Sequence, residues 1–155
     1  MLVYQGLNTT NLKSLLLEHL ELYKGKLYVP STRRNNAREM ELKPWQVMDL
    51  LEYIKEIRPR LAKDNHIDND KLFIPQNHFN DMVRVSILKR LKKINHKATN
   101  VNHLRASVIV NWLGQYNIRK VQYLTGHKYI SSTESYRQNN LESLQEAVNE
   151  YHPLS

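Results

Sequence analysis

Apolar residues along this chain recur mostly at three- and four-residue spacing, with short stretches of alternation between them, so the pattern predicts a helical body carrying a small sheet. Met1-Leu2-Val3-Tyr4-Gln5-Gly6 reads as the last turn of a helix closed by a glycine, its earlier turns lying before the chain. Thr9 or Thr10 is suited to cap a helix whose stripe runs Leu12, Leu15, Leu16 and Leu20, until Gly25 breaks it. Lys26 to Pro30 and Arg38 to Leu42 alternate around a polar turn, Ser31 to Ala37, which predicts a hairpin. Pro44 fits the first turn of a helix reaching Arg58, with Val47, Leu51 and Ile54 on one face and Leu50 and Ile57 widening it; Pro59 ends or kinks it.

After a polar loop, Asp64 to Asp70, the run Lys71-Leu72-Phe73-Ile74-Pro75 reads as a third strand beside the hairpin. A helix follows over residues 80–94, with Ile87, Leu91 and Ile94 inward and Arg84, Lys89, Arg90, Lys92 and Lys93 outward. Thr99 or Asn100 caps the next, Val101 to Trp112, with Val101, Leu104 and Val108 inward and Gly114 as its stop. Asn117 caps a short helix ending at Gly126. Ser131-Ser132-Thr133-Glu134 has the form of a capping box, which places Tyr136 in the early turns of a new helix. Leu141, Leu144 and Val148 then share one face of a terminal amphipathic helix. The fold class is α+β, mainly helical, with a small antiparallel three-stranded sheet.

Composition narrows the function. At 155 residues the chain is sized for one domain, and with 41% hydrophobic residues it has material for a core. No apolar run approaches the roughly 18 residues that span a bilayer, and no secretory leader pattern opens the chain. Without cysteine, disulfides, thiolate metal sites and cysteine nucleophiles are excluded, and a reducing cytoplasm is the expected location. Lys and Arg number 23 against 15 Asp and Glu, a net charge of +8 that favours a polyanionic partner.

Candidate chemistry gathers in the final third: Asn102-His103-Leu104-Arg105, then Leu124-Thr125-Gly126-His127, then Tyr136. Singly, a capping Asn, a surface Arg, a helix-end His and a half-buried Tyr are commonplace. Together they resemble the tyrosine recombinase, or phage integrase, family. Asn102-His103-Leu104-Arg105 occupies the place of its His-x-x-Arg motif, and Leu124-Thr125-Gly126-His127 that of its Leu-Leu-Gly-His box. Ser132 to Tyr136 resembles the nucleophile segment. Gly6 to Leu12 is similar to the family's Gly-Leu-Arg segment, Leu27 to Arg33 to its hairpin, and Leu72 to Pro75 to its third strand.

The resemblance implies residues 1–155 as a catalytic domain, with a helical core-binding domain upstream, acting in site-specific DNA recombination without metal or other cofactor. Tyr136 would attack a phosphodiester to leave a 3′-phosphotyrosyl bond. Arg105 would offer paired donors to the phosphoryl oxygens, and His127 would bond a phosphoryl oxygen or move a proton. Asn102 and Arg33 complete the expected catalytic set by position, yet they depart in type. Asn102 replaces a histidine, and Arg33 or Arg34 stands where a lysine acts as general acid, a role for which arginine holds its proton too tightly. Asn8 replaces the first phosphate-clamping arginine, and Asn11 the acidic residue that orients it. These departures keep a second reading open, a non-cleaving DNA-binding domain of the same fold.

The partner expected is double-stranded DNA, gripped through Arg33, Arg34, Arg38, Lys89, Arg90, Lys92, Lys93 and Lys97. The resemblance also implies a tetramer on DNA, joined through the segment after Tyr136, with a monomer expected for the isolated domain. An RNA- or protein-directed basic domain has little support, because the aromatic residues form no strand-borne stacking motif.

Overall fold

The computed structural model describes residues 1–74, 83–94 and 100–138. Helices dominate these residues, and one three-stranded antiparallel sheet in the order β1-β2-β3 packs among them. The strands are β1 (Leu20–Glu21), β2 (Lys26–Val29) and β3 (Arg38–Glu41). The hairpin appears where the alternation places it, with Leu27 opposite Met40 and Val29 opposite Arg38. In β3 alternation turns Arg38 and Met40 inward and leaves Glu39 and Glu41 exposed.

The third strand departs from expectation. Helix α1 (Thr9–Ser14) lasts six residues, capped by Asn8 rather than a threonine, and Leu15 is already extended. The chain then makes a 3₁₀ turn and enters β1, where Leu20 pairs with Leu27. Lys71 forms only an isolated bridge with Leu16, and the Leu72 N–H donates to the Leu15 carbonyl at 2.9 Å. The leucines at 12, 15, 16 and 20 fit a helical stripe, but spacing alone does not say that the backbone changes state halfway. Gly25 closes this stretch in the left-handed region, φ 63°.

Helix α2 (Pro44–Glu52) does not stop near Pro59. It widens into a π turn, Tyr53–Ile57, and continues as α3 (Arg58–Asp64) with Pro59 in the first turn of the new segment. The Arg58 N–H bonds back to Tyr53, one residue further than α geometry, so the wide turn accommodates the proline that cannot donate. A second π turn, Val83–Leu88, precedes α4 (Lys89–Ile94) and shifts the inward position by one: Leu88 is buried while Ile87 is exposed. Helix α5 (Val101–Gln115), capped by Asn100, runs straight through Gly114, which lies exposed in open space. Helix α6 (Ile118–Thr125) has the expected Asn117 cap and Gly126 stop, the glycine at φ 72°. Residues 131–138 are helical; the expected helix bearing Leu141, Leu144 and Val148 lies outside the described residues.

The core joins Leu2, Leu7, Leu12 and Leu15 to Leu27, Val29 and Met40 of the sheet and to Leu50 and Leu72. At its edge the Gln5 and Gln46 side-chain amides bond reciprocally at 2.9 and 3.0 Å, and Gln5 also donates to the Glu41 carbonyl. These bonds fasten the Gly6 turn to α2 and β3, and its other side lies against α5. A Cβ on Gly6, at φ 56°, would come within 3.2 Å of Val108.

Candidate active site

Three elements of the final third converge. Arg105, on the buried face of α5, donates through Nη1 to the Gly6 carbonyl and through Nη2 to the Thr125 carbonyl at 2.9 Å. The same Nη2 lies 3.4 Å from His127 Nε2. Because α6 ends in left-handed Gly126, the chain turns sharply and sets His127 back against that guanidinium. His127 Nδ1 is 2.9 Å from the hydroxyl of Thr133, which is fully buried. Tyr136, one turn further along the same helix, stacks its ring on His127 with centroids 5.9 Å apart and planes 14° from parallel.

This network assigns the imidazole's protons. A guanidinium only donates, so Nε2 accepts and Nδ1 carries the hydrogen, which it donates to Thr133 Oγ1. Electrostatics agree: burial, then the neighbouring Arg105 and Arg38 charges, push the His127 pKa down to about 4, leaving a neutral ring with a lone pair on Nε2. Arg105 is itself lowered by burial, while the adjoining Tyr136 phenol favours its charged form.

The sequence-predicted residues separate into three groups. Arg105, His127 and Tyr136 come together. Asn102 and His103 lie on the exposed face of α5, three and two residues before Arg105. Arg33 and Arg34 are exposed on the hairpin turn, which is pinned to the histidine corner by the Asn36 N–H donating to Gly126 O at 2.7 Å. Lys89, Arg90, Lys92 and Lys93 are exposed on α4, and Lys97 lies outside the described residues. Asn8 is occupied as a helix cap, its Oδ1 accepting from the Asn11 N–H at 2.8 Å. Asn11 is fully buried, with both side-chain polar atoms unpartnered among the described residues.

Arg38 corrects an expectation. Rather than standing on the DNA-facing turn, it is 2% exposed, because it shares the inward parity of Met40 and Leu42. Its Nε donates to the Leu124 carbonyl at 2.8 Å, and Nη1 to Asn36 O at 3.5 Å. The alternation of β3 carried that signal. Thr133 was also missed as a functional residue, because its local pattern pointed to helix capping and not to His127.

A surface cleft of about 210 Å³ opens on His127, bordered by Asn36, Arg119, Gln122 and Tyr123. A larger cavity, lined by Leu2, Leu50 and Phe73, is apolar and lies away from this chemistry. Among the described residues no cluster of three or more His, Asp or Glu side chains is suited to hold a metal ion.

The pattern of the phage integrase family matches residues 1–143. A curated tyrosine recombinase XerC from Natranaerobius thermophilus is 32% identical over 157 residues, covering 96% of this chain and 52% of that protein. The crystal structure of XerA recombinase aligns with a TM-score of 0.64 at 24% identity, over 98% of this chain and 56% of that one. The Tn1549 transposon integrase, solved in complex with transposon right end DNA, aligns at 0.59 and 15% identity, over 96% and 56%. The chain thus spans about half the length of the relatives it matches.

Proposed function

The chain belongs to the phage integrase family, and from that premise we propose that it cleaves and rejoins double-stranded DNA in site-specific recombination, through a 3′-phosphotyrosyl intermediate on Tyr136. The observation that carries this reading is the meeting of Arg105, His127 and Tyr136 from three separate segments. In the proposed step the Tyr136 oxygen attacks phosphorus, the bond to the 5′-oxygen breaks, and the phenolic proton leaves to water, while His127 Nε2 holds the Arg105 guanidinium in place. Arg105 steadies the charge gathering on the phosphoryl oxygens, where a positioned donor is worth about 10²–10³ in rate. The exposed hairpin arginine Arg33 adds charge but holds its proton, so the leaving 5′-oxygen is protonated from water. A second strand's 5′-hydroxyl then reverses the step and restores Tyr136.

On this reading residues 1–155 act as the catalytic domain of a longer cytoplasmic recombinase of a mobile element, which assembles as a tetramer on DNA. Two observations favour the alternative, a DNA-binding domain that does not cleave: Asn8 is spent as a helix cap, and Asn102 brings a neutral amide to the motif. A nicked suicide duplex carrying the crossover site separates the two. Cleavage leaves a covalent protein–DNA adduct that Tyr136→Phe abolishes and EDTA does not affect; binding without adduct in the unmutated chain supports the alternative.

A further inference from the structure

Two guanidiniums are buried at this corner, and the proposed reaction gives a task to only one. Arg38 grips the Leu124 carbonyl from the sheet, and Arg105 grips the next carbonyl, Thr125, from α5. A charge taken out of water ordinarily meets an opposite charge. Neither arginine does among the described residues, whose ion pairs are His19–Glu18, Lys24–Glu21 and Lys26–Glu39, and where no Asp or Glu is buried. Arg38 Nη2 is moreover buried with no hydrogen-bond partner. Space is tight as well: a Cβ on Gly126 would stand 2.5 Å from Arg38 Nη1 and 2.9 Å from the Asn36 carbonyl. The hairpin, the glycine turn and His127 are therefore one packed unit with Arg38 at its centre.

We propose that Arg38 is a positioning residue that fastens the arginine hairpin to the His127 corner and supplies the second positive charge of a phosphate locus, the charge that neutral Asn8 does not provide. The proposal rests on the recombinase reading and adds a residue to it. A phosphodiester seated beside Arg105 compensates both buried charges at once, although Arg38 itself stays out of contact with solvent. The groups facing this locus are Arg105 from α5, Tyr123 from α6, His127 from the turn, and Tyr136 from the helix over 131–138. Burial and the Arg105 charge hold Arg38 down to about 10, and burial together with both arginines keeps His127 neutral, so an anion seated beside Arg105 relieves a repulsion already present.

The test is titration of the ¹⁵N-labelled chain with inorganic phosphate against sodium chloride of equal ionic strength. The Nε–Hε resonances of Arg38 and Arg105 should shift together along one saturating isotherm. Arg38→Gln should weaken phosphate about tenfold, and Arg38→Lys, which keeps the charge, only about threefold. An Arg38 resonance that stays still while phosphate binds, or two variants that weaken phosphate equally, overturns the proposal. Arg38→Gln also cuts the hairpin anchor; if it does not fold, the wild-type titration and Arg38→Lys decide. Failure of the recombinase reading appears separately, as absence of the Tyr136 adduct with the phosphate titration intact.

Discussion

Two glycine-to-alanine substitutions should have opposite effects on this chain. At Gly126, φ is 72°, and an added Cβ would stand 2.5 Å from Arg38 Nη1 and 2.9 Å from the Asn36 backbone oxygen. A left-handed alanine costs about 1–2 kcal/mol. Moving the hairpin to make room also breaks the 2.7 Å bond from Asn36 N–H to Gly126 O, worth about 0.5–1.5 kcal/mol. Together these give about 1.5–3.5 kcal/mol, which for a chain of this size lowers Tm by about 3–14 °C. At Gly114, by contrast, an added Cβ meets nothing within 4 Å inside α5, so alanine should stabilise by about 0.5–1 kcal/mol and raise Tm by about 1–4 °C. Thermal unfolding by circular dichroism measures both, with the two variants and wild type in one buffer. The His127 ring resonances report whether the destabilised corner has moved. A Gly126→Ala variant melting within about 1 °C of wild type, or a Gly114→Ala variant melting several degrees below it, would refute the packing and the helix assignment on which this rests.

Thr133→Val leaves His127 Nδ1 without its acceptor in a buried setting, a loss of about 1–3 kcal/mol, so adduct formation should slow by about 5- to 150-fold while DNA binding is kept; an unchanged rate would show that Thr133 does not orient the ring. Folded His127 sits near 4 against 6.5 unfolded, so the folded chain binds fewer protons between these values. Its contribution to stability should be complete above pH 6.5 and fade as the pH falls toward 4, a slope in Tm against pH that His127→Gln should flatten. DNA affinity should fall with salt at a log–log slope of about −0.9 per phosphate neutralised, and charge reversal at Lys89, Arg90, Lys92 and Lys93 should make it shallower. An unaltered slope would assign that exposed run to solvent.

Local rules were readable in the residues alone. Asn117 and Gly126 bound α6 because a side-chain acceptor and a left-handed glycine act within a few residues of themselves. The hairpin followed from alternation on both sides of a polar turn. Arg105, His127 and Tyr136 were singled out by their motifs, and the fold brings them together.

Tertiary structure decided what depends on partners distant in the chain. Leu20 and Glu21 became the third strand, in place of residues 71–75, because β2 offered an edge to them, and a stripe of leucines cannot announce the pairing. Pro59 read as a helix end or kink, and a π turn absorbs its missing donor as the helix continues. Arg38 carried an inward parity in the sequence, but its carbonyl partner lies 86 residues away, and only folding turned a presumed surface charge into a buried one. Thr133 read locally as part of a helix start, with nothing to tie it to His127. Its role exists because a glycine turn carries the His127 ring to within 2.9 Å of its hydroxyl.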